Sequence, residues 1–342
     1  MSLINIVFYF NFEGNDIKCT YMLEVSMIIT VILLILVMLS AAIGLVFIKL
    51  LICRQDNVPT PEKGAAVSDL FAPTGEALWA HNIPYFEPFR RLPFETAEII
   101  SKDGLILRAD YLHGTPDAKV TVVFCHGYKS EPSLDFAAMY DFYRNCGYNL
   151  VYLHMRSHGK SEGRYIGFGA LDRFDIPLWA DKMNELFPNT SVFFHGMSMG
   201  GATVLQSANL DMPENVCGII ADCGFSSCNE VFRNLIGKMY HLPATPFVNI
   251  IELVNIMLAK YDFRSADSIK SLAQSRLPLL YICGDSDRYV PYDMAMRIFD
   301  SCIADKELLI VPNVGHAASY MYATEKYQAL VTNFIDKHRR DL

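Results

Sequence analysis

The chain is poor in charge. Only 19% of its 342 residues are Asp, Glu, Lys or Arg, against 52% apolar residues, which excludes general disorder. It is poorer still in basic residues. A net charge of -8 argues against nucleic acid as a partner, because phosphate neutralisation needs a basic surface. None of the nine cysteines forms a CxxC pair, and their spacing is irregular. A structural zinc site and a disulfide scaffold are therefore both disfavoured. Most of the thiols sit in apolar runs such as "VVFCHG" and "LLYICGD", where a reduced cysteine behaves as a small hydrophobe. No repeat of 20–50 residues is visible.

One apolar run stands out. "MIITVILLILVMLSAAIGLVFIKLL", residues 27–51, holds no charge before Lys49. About 22 apolar residues at roughly 1.5 Å each give about 33 Å, enough to cross the hydrocarbon core. "SAA" at 40–42 has the form of a signal-peptide cleavage site, but the apolar run continues past it, which favours an uncleaved anchor. Residues 1–26 then form an N-terminal segment. Lys49, Arg54 and Lys63 follow the span and only Lys18 precedes it, so the cytoplasmic side is favoured for the rest of the chain. The free thiols agree with a reducing compartment. A start at Met22 or Met27 would weaken that asymmetry. Residues 52–93, with many prolines and little periodicity, read as a linker and lead-in.

From residue 94 to residue 342, strand-like runs alternate with helical patterns. The runs at 121–127, 147–154, 191–196, 216–224, 277–285 and 306–313 are apolar on both faces, as parallel strands covered by helices are. Amphipathic stretches lie at 134–147, 171–188 and 324–340. The pattern predicts an α/β fold with a doubly wound, mostly parallel sheet, preceded by one transmembrane helix. Residues 225–275 are too many for one crossover and imply a small helical lid. Its stretch 247–261 is apolar enough to line an acyl pocket or touch a membrane, although simple packing on the domain is favoured.

Within "FFHGMSMGGATVLQS" (193–207), Gly196-Met197-Ser198-Met199-Gly200 is a G-x-S-x-G turn between a strand and a helix. That context points to Ser198 as a nucleophile beside a helix N-terminus. A serine hydroxyl needs a base, and here acid and base follow the nucleophile in the chain. Of the later histidines, His338 lies in a basic tail and His241 in the lid, which leaves His316 in "VPNVGHAAS". For the acid, Asp287 in "GDSDRYVP" is far enough past its strand to reach His316; Asp285 and Asp222 are the alternatives. The N–H of Met199 and that of Tyr128, in "HGYKS", are the expected oxyanion donors. His126 reads as a loop brace. His154 and His158 are four apart, but on a strand end and glycine turn, which is not the geometry of a zinc pair.

Together "SKDGLILRADYL", "HGYKS", "MRSHGKSEG", "GMSMGG" with "ADCGFSS", and "GDSDRYVP" with "VGHAASY" resemble, in order, the α/β-hydrolase superfamily over roughly residues 94–340. Within it the chain looks most like membrane-tethered bacterial serine hydrolases related to serine aminopeptidases and monoglyceride lipases. The resemblance implies a Ser198–Asp287–His316 triad, oxyanion donors at Tyr128 and Met199, and acyl hydrolysis without metal or organic cofactor. Met155 departs from the pattern, since the family usually carries an acid there. The expected substrate is a small-molecule or lipid-like carboxylic ester. A peptidase or amidase with the same triad, and a non-catalytic binding protein on the same fold, are the alternatives.

Overall fold

Runs that are apolar on both faces offer little to water, and they form the middle of the sheet. The structure, a computed structural model, describes residues 15–55, 73–239 and 241–340. Expectations for residues 1–14 and for 56–72, which include Lys63, lie outside the described residues. At one edge β1 (Glu95–Ile100) and β2 (Ile106–Leu112) form an antiparallel pair. Then β3 (Val120–Cys125), β4 (Asn149–Leu153), β5 (Ser191–Met197), β6 (Val216–Asp222), β7 (Leu279–Gly284) and β8 (Lys306–Val311) run parallel to one another. Every residue of β3 to β7 is buried.

The spatial order is β1-β2-β4-β3-β5-β6-β7-β8. The chain steps outward from β3 to β4, then returns past β3 to β5 and continues the other way. That reversal opens a crevice at the carboxyl ends of β3 and β5, the place where open α/β sheets bind ligands.

The helices, in chain order, are α1 (Asn15–Phe47), α2 (Gly75–Arg90), α3 (Pro132–Asp135), α4 (Tyr140–Asn145), α5 (Asp175–Leu186) and α6 (Met199–Ser207). They continue with α7 (Cys228–Met239), α8 (Ala244–Ala259), α9 (Ser268–Leu272), α10 (Tyr292–Ser301), α11 (Ser319–Tyr322) and α12 (Thr324–His338). Helices cover both faces of the sheet. Trp179, Leu205 and Ile298 help build the core on one face, and Tyr143, Val331 and Phe334 help build it on the other.

α1 continues through a π-helical turn, Ile48–Ile52, closed by the Cys53 N–H donating to the Ile48 carbonyl at 2.9 Å. The stretch Glu24–Ile52 is long and apolar enough to cross a membrane. Its side chains from Met27 to Leu39 are exposed, whereas Ile48 and Ile52 are buried in the domain core. α1 leans on α8 at Gly44, where an added Cβ would come within 2.5 Å of Val254. Only a residue without a side chain allows that approach.

Residues 52–93 differ from the linker expected. Cys53 pairs with Tyr165, and α2 follows with Phe86 and Phe89 buried. Pro84 and Pro88 interrupt the apolar periodicity and each removes a backbone donor, so the helix is hard to read from sequence. Packing holds it: the Phe89 ring meets Tyr152 edge-on at 5.0 Å and Phe94 at 5.2 Å. Residues 225–275 contain α7, α8 and α9.

Candidate active site

Gly200 must be glycine, because a Cβ there would lie 1.9 Å from the Cys125 carbonyl oxygen. α6 can therefore begin tight against the end of β3. Ser198, between β5 and α6, is held at φ 52° and ψ -112°, a strained region for a residue with a side chain. Its N–H donates to the Asp222 carbonyl at 2.8 Å, which pins the turn to the end of β6.

Ser198 Oγ lies 2.7 Å from His316 Nε2, and His316 Nδ1 lies 2.6 Å from Asp287 Oδ2. All three residues are buried. Asp287 Oδ1 also accepts from the N–H groups of Tyr289 at 2.7 Å and Val290 at 2.9 Å. The carboxylate thus presents one oxygen to the imidazole and fixes the other on the backbone. The Tyr289 ring stacks on His316 with centroids 4.8 Å apart and fixes the plane of the imidazole. With Nδ1–H donated to Asp287, Nε2 has its lone pair free to accept the Ser198 hydroxyl proton.

The alternative acids sit elsewhere. Asp285 Oδ1 accepts from the Asn313 N–H at 2.7 Å and braces the loop after β8. Asp222 Oδ2 accepts from Tyr327 Oη at 3.2 Å, and Tyr327 Oη is 3.0 Å from His195 Nε2. Complete burial pushes the Asp222 carboxyl up to about 7. In the unfolded chain it ionises near 3.8, so between about pH 4 and pH 7 the unfolded state releases a proton that the folded state keeps. Wild-type stability accordingly declines across that window, and Asp222→Asn is expected to remove the decline. The unfolding free energy of the variant relative to wild type should climb by roughly 2–4 kcal/mol from pH 4 to pH 7 and then level off. A difference that is flat with pH would count against a neutral Asp222.

Met199 opens α6, and its N–H belongs to the first helical turn, where the helix itself supplies no acceptor. The loop Gly127–Tyr128 passes over Ser198; a Cβ on Gly127 would lie 3.5 Å from Ser198 Cβ. Three residues set that loop. Asp135 accepts from the Gly127 N–H and from Ser130 Oγ, both at 2.6 Å. His126 donates from Nδ1 to the Gly127 carbonyl at 2.8 Å and accepts the Met155 N–H at 3.1 Å. His158 Nε2 accepts the Lys129 N–H at 3.1 Å. Burial holds His126 well below its ordinary range and His158 down at about 4, so both remain neutral acceptors. His154 instead lies against Asp110, at 3.1 Å. Met155, where an acid was expected, is buried and contributes its N–H to His126.

Asp135 and Tyr289 were not anticipated. Asp135 ends the one-turn helix α3, where an acid reads as a solvated position of the amphipathic stretch, and Tyr289 stacks across a distance no sequence spacing encodes. Burial pushes the Asp135 carboxyl up to about 6.

A cavity of about 430 Å³ opens over Ser198. Its walls come from α2 (Leu78, Trp79), from α7 (Phe232, Leu235, Ile236) and from the end of the apolar helix (Leu50, Leu51). Among the described residues, none of α8 lines it. Ile251 of α8 is fully buried in the domain, whereas Leu253, Ile256 and Met257 are exposed.

Cys223, Asp287 and His316 place donor atoms within 4.8 Å of one another. The set does not fit a metal. Both ring nitrogens of His316 are engaged, and burial pushes the Cys223 thiol well above its ordinary range, so it stays protonated.

Comparison with known proteins agrees with this architecture. The family model of the S33 serine aminopeptidases matches residues 116–244. The chain is similar to the uncharacterized protein YqkD of Bacillus subtilis, 26% identical over 73% of this chain and 82% of the relative. It shares its fold with the Pyrococcus furiosus esterase Pf2001, with a TM-score of 0.60 at 19% identity over 72% of this chain and 92% of that one. It also resembles the acylaminoacyl peptidase of Pyrococcus horikoshii, with a TM-score of 0.54 at 18% identity over 75% of this chain and 43% of that one. The fold is that of the α/β hydrolases, and the matched segment and these relatives support a member of that superfamily with hydrolase activity.

Proposed function

We propose that the chain is a membrane-anchored serine hydrolase that cleaves carboxylic esters through an acyl-enzyme. The observation that carries this reading is the unbroken contact Ser198–His316–Asp287 at the floor of an apolar cavity. Ser198 Oγ attacks the ester carbonyl as His316 Nε2 takes its proton, and Asp287 stabilises the imidazolium. The N–H groups of Met199 and Tyr128 receive the negative charge on the carbonyl oxygen. The imidazolium returns its proton to the leaving alcohol, which departs and leaves the acyl group on Ser198. Water, deprotonated by His316, then releases the carboxylic acid and regenerates the serine.

Ester rather than peptide cleavage is supported by the walls of the cavity. An aminopeptidase needs a carboxylate for the substrate ammonium group. Among the described residues the one carboxylate lining the cavity is Asp135, and both of its oxygens are held by the Gly127–Ser130 loop. Purified full-length protein is expected to hydrolyse p-nitrophenyl esters and to leave aminoacyl p-nitroanilides intact. The reverse preference would establish the peptidase reading, and inertness toward both, with no fluorophosphonate labelling, the binding-protein reading.

Anchoring is supported by the exposed apolar length of α1. Lys49 and Arg54 after the span favour a cytoplasmic domain.

A further inference from the structure

The last carbonyls of any helix have no partner within it, and close to lipid they must find donors in the protein. At the end of the apolar helix two of those donors come from the catalytic crevice. Tyr128 Oη donates to the Leu51 carbonyl at 2.8 Å, and the Lys129 ammonium donates to the Leu50 carbonyl. The Ile166 N–H donates to the Ile52 carbonyl at 2.7 Å. The Arg54 guanidinium reaches the Gly159 carbonyl at 2.7 Å and also the Ser161 carbonyl. The loop that passes over Ser198 is therefore fastened directly to the membrane helix, and a cation sits at the helix end where its dipole favours one.

Length places this junction at the bilayer surface. Residues 24–42 are the part of the span outside the domain, and at about 1.5 Å per residue they cover about 28 Å, against roughly 30 Å of hydrocarbon core. No spacer separates span from domain, because the next turns, from Gly44 to Ile52, are packed against α8 and the core. The side chains of Leu50 and Leu51 meanwhile form part of the cavity wall. α8, which meets α1 at Gly44, also exposes the apolar side chains of Leu253, Ile256 and Met257.

We propose that the end of the membrane helix is a working part of the active site, with Leu50 and Leu51 forming the wall along which an acyl chain passes from the bilayer to Ser198. The substrate class is then an amphiphilic carboxylic ester resident in the membrane. This rests on the serine-esterase reading and adds to it a route and two specificity-determining residues.

The test uses the full chain in phosphatidylcholine nanodiscs, with p-nitrophenyl palmitate dissolved in the bilayer and p-nitrophenyl acetate in the water. Leu50→Asp places a charge on the proposed path. It is expected to lower palmitate kcat/KM by roughly tenfold more than acetate kcat/KM, the effect of losing a few methylene contacts. Leu50→Trp keeps the wall apolar but narrows it, and is expected to shift the preferred acyl chain shorter. An unchanged palmitate-to-acetate ratio in Leu50→Asp, with an unchanged chain-length profile in Leu50→Trp, would overturn the route. Wild-type acetate turnover that depends on Ser198 keeps the esterase reading intact whichever way that comparison falls. Its absence would overturn the esterase reading and the route with it.

Discussion

Ser198→Ala is expected to abolish fluorophosphonate labelling and to lower ester kcat by about 10⁴–10⁶-fold. The hydroxyl is the atom that forms the acyl bond, and no neighbouring group replaces it. Cys223, the nearest other nucleophile, has its sulfur 3.9 Å from His316 Nε2, but its thiol is held protonated by complete burial. The fold should survive the change. Alanine inherits the positive φ of Ser198, and the backbone bond to Asp222 does not involve the side chain. A melting temperature within a few degrees of wild type, with labelling lost, assigns the loss to chemistry. Persistent labelling in the variant would place the reactive nucleophile elsewhere.

Asp287→Asn is expected to be nearly as severe, about 10³–10⁴-fold in kcat. The new amide has one oxygen, and the Tyr289 and Val290 N–H groups claim it, since both donate to Asp287 Oδ1. Its NH₂ then faces His316 Nδ1, where wild type has an acceptor at 2.6 Å. The imidazole must answer with a lone pair on Nδ1 and carry its proton on Nε2, facing Ser198. In that tautomer it cannot accept the serine proton. The backbone contacts are preserved, so KM and melting temperature should move little while kcat collapses. Asp222→Asn, by contrast, alters an acid that lies on Tyr327 and not on His316, and its kcat should stay within a few-fold of wild type. A loss below tenfold in Asp287→Asn would remove Asp287 from the mechanism.

What was legible in the sequence follows from burial. β3 to β7 are covered on both faces, so most positions are apolar and the runs stand out. β1 is half exposed at the sheet edge, and its Glu95-Thr96-Ala97-Glu98 start carries no such signal. The glycines around Ser198 were legible because a backbone approach of the kind seen at Gly200 leaves no alternative residue. Helix α2 was not: Pro84 and Pro88 argue locally for a break, and contacts with residues distant in the chain, the rings of Tyr152 and Tyr140 among them, hold the segment helical. The same limit hid Asp135 and Tyr289, whose roles exist only after the strands have assembled. It also hid the end of α1. Composition identifies Leu50 and Leu51 as the tail of an apolar span, and nothing in that tail announces that its carbonyls meet Tyr128 and Lys129.

That meeting has a consequence for how the protein is made. Residues 48–54 leave the ribosome long before 128–129 and 159–166, the segments that bond to them. With the helix anchored as proposed, its last turn waits at the membrane surface until residue 166 has been synthesised. The loop over the nucleophile is completed only when that turn is captured. Under the proposed anchoring, synthesis, insertion and completion of the active site are serial steps. A chain begun at residue 53 would lose more than the apolar span: it would fold without Ile48 and Ile52 in its core and without the acceptors that Tyr128 and Lys129 use.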